Sequence, residues 1–265
     1  MSRTSSASEA LAPSNPDFSP RQRALIGIGG VIIAATWVFL VLARPGVSES
    51  LTDTSGGALI TLIGYLLGTV ALLVGVLPSL PARVIAIIPL AVIANAAIGQ
   101  IVGSIGIPLY VDAVGTVLIA ALAGPAAGLT TGAVSSVVWG LFNPTALPFA
   151  AVGAAVGWMA GAAIRRGAFK AIWRIVVSGA VIGIVAGMLS APIAAFVYGG
   201  TAGVGTGALV SLFREVTGSL ISSVTLQSVV SDPLDKIIVL LLVWAIIRAL
   251  PKRTLATLRP ASTHD

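Results

Sequence analysis

Residues 84–164 read VIAIIPLAVIANAAIGQIVGSIGIPLYVDAVGTVLIAALAGPAAGLTTGAVSSVVWGLFNPTALPFAAVGAAVGWMAGAAI and hold one charged side chain, Asp112. The rest is aliphatic and rich in Ala and Gly, broken by Pro108, Pro125, Pro144 and Pro148. A water-soluble domain must present charge to solvent and does not sustain such a run. A bilayer reverses the demand, because charge is costly there and long apolar segments are required. The stretch therefore reads as membrane-embedded, with Asp112 as its exception.

Outward from this stretch the composition agrees. Of 265 residues, 57% are hydrophobic and 9% charged, with a mean hydropathy of +1.04. A formal charge of +6 and a pI near 10.5 raise the possibility of nucleic-acid binding. The basic residues flank apolar runs instead of forming a stripe with aromatics, so they are better read as positive-inside topology signals, and no nucleic acid is expected. The absence of Cys excludes disulfides, thiolate metal sites and Cys nucleophiles, and the one His, His264, removes His-based metal clusters and Ser-His catalysis. No cofactor is expected, and no enzyme. Residues 1–20 are polar and lack the apolar core of a cleavable signal peptide, so residues 1–23 are expected to be a disordered cytoplasmic tail.

In chain order, residues 24–43 form a first span behind Arg21 and Arg23, long enough to cross a hydrocarbon core of about 30 Å. A short outer loop over 44–56 leads to a second span, 57–77, closed by Pro78 and Pro81, with Arg83 marking the inner side. The third span, 84–105, carries Asn95 and Gln100, and Gly99/Gly103 suit close helix contact. Residues 113–142 are uncharged, and one helix of that length would measure about 45 Å, too long for the core. Gly124-Pro125 divides them into two short helices joined by a tight inner turn. Asn143-Pro144 opens an outer loop, and the sixth span, 146–164, stops at Arg165-Arg166, with Lys170 and Arg174 following. The seventh covers 175–197. Residues 199–232 are Gly-rich, then helical in pattern up to Val230, and fall on the outer side. An eighth span, 234–250, ends before Lys252 and Arg253 and the tail 252–265. The reading is all-α: a polytopic membrane bundle of eight crossings with both termini cytoplasmic.

From Arg83 onward the sequence resembles the substrate-binding S component of energy-coupling factor (ECF) transporters. The resemblance rests on IGIPLYVD (105–112), LAGPAAGLTTGAVSS (122–136) and NPTALPF (143–149), then on the basic inner turn and a last helix opening SDPLDKIIVLL (231–241) and ending RALP (248–251). It implies a six-helix core over 83–251, with 24–82 an added transmembrane hairpin. It also implies a bacterial inner-membrane receptor that takes up a vitamin-like or nucleoside-like micronutrient with a transmembrane T subunit and cytoplasmic ATPases. No G-x-x-x-x-G-K-[ST] phosphate loop is present, so energy would come from those partners. The alternatives are a membrane sensor or interaction protein, and a stand-alone secondary carrier. The latter is disfavoured because no ionisable pair is read at mid-span.

The resemblance places the ligand in the outer half of the core. Asp112 lies there by topology, either as a site residue or as an N-cap of the next helix. Asn95 is read first as a bridge between helices, and otherwise as a ligand contact. Trp139 and Asn143 are either interfacial residues or a stacking wall with a hydrogen-bonding amide. Tyr198, Arg214 and Gln227 belong to the polar segment, which is either solvated or a lid hinged on its glycines. Asp232-Pro233 reads as the N-cap and N1 of the last helix. Asp235 and Lys236 point about 100° apart and are not expected to pair directly face to face; one of them faces the cavity, and Asp235 is read as having a cavity or network role. Trp158, within span six, is read as packing. The basic turn from Arg165 to Arg174 is expected to attract anionic lipid or to meet the T subunit.

Overall fold

A computed structural model describes residues 16–44, 56–200 and 204–251. Residues 1–15 of the predicted tail, 45–55 of the first loop, 201–203 of the glycine-rich segment and the tail from 252 lie outside the described residues. The described residues are largely helical and contain no strand. The helices are α1 (Pro20–Ala43), α2 (Gly56–Val76), α3 (Ala82–Ser104), α4 (Val114–Ala123), α5 (Pro125–Gly140), α6 (Ala150–Arg165), α7 (Ile172–Phe196), α8 (Val204–Thr217) and α9 (Leu220–Ala249). Five helical segments, Pro20–Ala43, Gly56–Ser79, Ala82–Ser104, Pro144–Arg165 and Ile172–Phe196, are long and apolar enough to cross a membrane. Large side chains such as Leu42, Leu67, Ile93, Val181 and Leu242 point outward from the bundle, which suits lipid and not water. The protein is a multi-pass membrane helical bundle.

α1 starts a turn earlier than predicted because Ser19 and Gln22 form a capping box: Gln22 N–H donates to Ser19 Oγ (3.3 Å) and Ser19 N–H to Gln22 Oε1 (2.8 Å), with Pro20 at N1. α1 and α2 pack against each other. Their closeness follows from small residues, since a Cβ at Gly68 would stand 2.7 Å from Ile33 Cγ1 and one at Gly29 2.8 Å from the Gly68 carbonyl. The pair is fastened to the rest by two polar anchors. The buried Tyr65 hydroxyl donates to the Pro148 carbonyl (3.2 Å), and Trp37 Nε1 donates to the Leu189 carbonyl (3.1 Å).

The uncharged 113–142 segment divides where predicted. Gly124 adopts φ 86°, ψ −177°, and Pro125 opens α5. α4 has only ten residues, about 15 Å, half a hydrocarbon core. The other half of that crossing is the non-helical segment 105–113, with Gly106 at φ 75° and Val111 at φ 49°. α5 and α6 touch backbone to backbone: a Cβ at Gly157 would lie 2.0 Å from the Gly128 carbonyl oxygen, and one at Gly132 2.0 Å from that of Gly153.

The last helix corrects the sequence reading. α9 begins at Leu220, after Gly218 at φ 66° and the cap Ser219, and runs unbroken through Asp232-Pro233. Asp232 is therefore not an N-cap. Pro233 gives up one helical hydrogen bond, and α7 packs closely against the helix there. A Cβ at Gly183 would fall 2.4 Å from both the Asp232 carbonyl oxygen and Pro233 Cα. Gly183 sits near the middle of α7, so Asp232 lies at mid-depth of the α7–α9 pair.

The basic residues collect at one end. Gln22, next to Arg21 and Arg23, donates to Ser79 (2.8 Å), close to Arg83; Gly161, one turn before Arg165, abuts Gly124-Pro125; and Trp244, one turn before Arg248, donates to the Phe169 carbonyl (3.2 Å). Arg44, at the other end, stacks its guanidinium 4.0 Å over the Phe196 ring.

A polar cavity at mid-bundle

Within the bundle, α3, segment 105–113, α4, α5 and the α7–α9 pair surround a cavity of about 390 Å³, bordered by residues 143–149 and by Thr206 of α8. Six of the sequence-predicted site residues line it: Asn95, Asp112, Trp139, Asn143, Gln227 and Lys236. They are joined by hydroxyl-bearing side chains that sequence reasoning did not single out, including Thr116, Ser135, Ser136, Ser190 and Ser228, and by Tyr110 and Asp232. A Ser or Thr among Ala and Gly carries no charge or periodicity to mark it, so only the packing of four helices assembles these groups.

Asp235 lies behind the wall and is fully buried. Its Oδ1 accepts hydrogen bonds from the backbone N–H groups of Tyr110 (3.0 Å) and Val111 (2.6 Å), and its Oδ2 accepts from Lys236 Nζ. Lys236 also reaches Asp112 Oδ1 at 3.5 Å. Two expectations are thereby corrected. Asp235 and Lys236 do pair, because the long lysine stem folds back along the helix even though the two Cβ atoms diverge. An ionisable group of three does lie at mid-bundle. Asp112 is not a helix cap, since α4 is preceded by Ala113 without a side-chain cap bond. The arrangement also explains how a non-helical segment survives inside the bundle: its N–H groups, which lipid cannot satisfy, are taken by a carboxylate. Val111, β-branched and in the left-handed region, is held in a conformation that costs about 1–2 kcal/mol.

Asn95 is a bridge, as first read. Its Nδ2 donates to Thr116 Oγ1 (2.8 Å) and Ser135 Oγ (2.9 Å), while its Oδ1 accepts from Gly115 N–H (2.7 Å), tying α3 to α4 and α5. Gly115 must be glycine here, since a Cβ would stand 2.2 Å from the Ala91 carbonyl oxygen. Trp139 packs over Gly99, where a Cβ would meet its ring at 2.9 Å and Asp112 Cβ at 3.0 Å.

Asn143 caps the 3₁₀ turn Pro144–Phe149, accepting from Thr145 N–H (3.2 Å) and Thr145 Oγ1 (2.6 Å). Tyr198 is not a lining residue; its hydroxyl donates to the Thr145 carbonyl (2.7 Å) and its ring stacks on Phe149, so it braces the wall from behind. Gln227 donates through Nε2 to Ser231 Oγ. Arg214 is exposed on α8 and away from the cavity, so it is not placed at the site. The segment around it is helical, Val204–Thr217. α8 does reach the cavity through Thr206, whose side chain is hydrogen-bonded to that of Tyr110.

Trp158 is not core packing. With Trp173, Arg166 and Arg174 it lines a cleft of about 560 Å³ on the outer face of α6 and α7, at the basic end. No protein-family model matches the chain, and comparisons with curated proteins and with solved structures found no match.

Proposed function

We propose that the chain is the substrate-binding membrane subunit of an ECF-type ABC transporter in a bacterial inner membrane, taking up a vitamin-like or nucleoside-like micronutrient. In this reading residues 83–251 are the six-helix core, 24–82 the added hairpin, and both termini are cytoplasmic, with the basic end inside. The observation that carries it is the cavity of about 390 Å³, lined by amides, hydroxyls and Trp139, inside a bundle whose outer surface is apolar. That volume and position, between helices, suit a small ring-containing molecule.

The test is to isolate the tagged chain from its own host and identify what accompanies it. The expected result is a T subunit, ATPases and a retained small molecule, with proteoliposomes of that complex accumulating the molecule only when ATP is supplied. A second reading, a stand-alone carrier, is favoured by the Asp112–Lys236–Asp235 group at mid-bundle, in which Asp235 and Lys236 are buried, the kind of intramembrane charge set that relays protons. Uptake by the chain alone under a proton gradient, without ATP, would establish that reading and overturn the first. Retention of the molecule with no partner and no uptake would point instead to a sensor.

A further inference from the structure

We infer that the cavity takes an organic cation, an amine or similar ammonium group on a small ring-bearing body, and that Asp232 is its counter-ion. This rests on the cavity being a ligand site, as proposed above. Asp232 lines the cavity and is 4% exposed, yet its Oδ1 has no hydrogen-bond partner among the described residues. A buried carboxylate oxygen without a donor is costly and is rare unless something binds there.

The local charge points the same way. Asp112, Asp232 and Asp235 place three carboxylates at mid-bundle against one ammonium, Lys236, the only basic side chain lining the cavity among the described residues. Lys236 is already committed to Asp235 and Asp112, and Asp235 is further spent on two backbone N–H groups. Asp232 is the carboxylate left over.

Two features favour an organic cation over a metal ion. The space is many times larger than an ion needs, and among the described residues no group of three His, Cys, Asp or Glu is arranged to hold a metal. Trp139 on the wall supplies an aromatic ring suited to a cation or to a planar body. Asp232 stays fixed because Gly183 and Gly187 admit its backbone and carboxylate against α7; a Cβ at Gly187 would lie 3.0 Å from Asp232 Oδ2.

The experiment compares a matched pair of probes, phenethylamine and phenethyl alcohol, by equilibrium dialysis against the full chain in nanodiscs, together with native mass spectrometry of whatever the purified chain retains. The expected result is that the amine binds about ten- to a hundredfold more tightly than the alcohol, the worth of one charge-assisted hydrogen bond. In Asp232→Asn the preference should collapse to within about threefold. The wild-type comparison stands even if the variant fails to fold. Equal binding of the two probes, or a retained ligand that is neutral or anionic, overturns the cation assignment while leaving the ligand site in place; Asp232 would then hold a proton. If neither probe binds and nothing is retained, the inference and the receptor reading fail together.

Discussion

At the scale of single residues, Asp235 organises the site without facing it. One oxygen holds the 105–113 segment through two N–H groups and the other holds Lys236. Removing the charge leaves the buried ammonium only its 3.5 Å contact with Asp112, and breaking such a pair from one side costs up to about 3–5 kcal/mol. Asp235→Asn is therefore expected to lower the thermal midpoint of the detergent-purified chain well below that of Lys236→Met. The double variant should recover part of the loss; full additivity of the two single effects would show that the pair is not coupled. Asn95→Ala removes the acceptor of Gly115 N–H and the donor to Thr116 and Ser135, with an expected cost of about 1–3 kcal/mol. A neutral result in the same denaturation assay would mean that water replaces the amide.

At the scale of elements, the helices approach each other through glycine, and the consequences differ by position. A Cβ at Gly157 would press on the Gly128 carbonyl at 2.0 Å, whereas Gly30, on the lipid-facing side of α1, has nothing within 4 Å of the corresponding point. Gly157→Ala should destabilise by about 1–3 kcal/mol through overpacking. Gly30→Ala should be neutral or stabilise by up to about 1 kcal/mol, because alanine is the better helix former. Similar midpoints for the two variants would argue against a close α5–α6 crossing. α9 teaches the complementary lesson about reading helix starts. Asp-Pro has the chemistry of a cap followed by N1, and nothing local distinguishes that use from a proline inside a helix. In the folded chain α9 runs through Asp232-Pro233, with Gly183 of a neighbouring helix packed closely against the same point.

At the scale of the molecule, one end is basic and the other carries the 143–149 turn and the start of α8. The chain has no cysteine, so single replacements report topology without background. Arg166→Cys and Phe142→Cys, both at exposed positions, should react with an impermeant maleimide from opposite sides of the membrane, Arg166→Cys only from the cytoplasmic side in the proposed orientation. Labelling of both from one side would refute the arrangement of α5, the 143–149 turn and α6.

The membrane bundle, the Gly124-Pro125 division and the gathering of basic residues at helix ends were legible in the sequence. Each rests on a property that adds up along the chain: hydropathy over about twenty residues, the backbone preferences of glycine and proline, or the cost of charge in lipid. Six of the polar and aromatic residues that line the cavity were legible too, because such a side chain in an apolar run stands out wherever it ends up. Which of them meet was decided only in three dimensions. Asp235 and Lys236 pair against their helical spacing, Asp112 joins them across a gap of more than a hundred residues, Arg214 points away, and Asp232 changes from a helix cap to a cavity carboxylate whose Oδ1 has no partner among the described residues. Pairing depends on distance and on the dielectric around the groups, and both are set by how α3, α5, α7 and α9 pack together, not by the order of residues along any one of them.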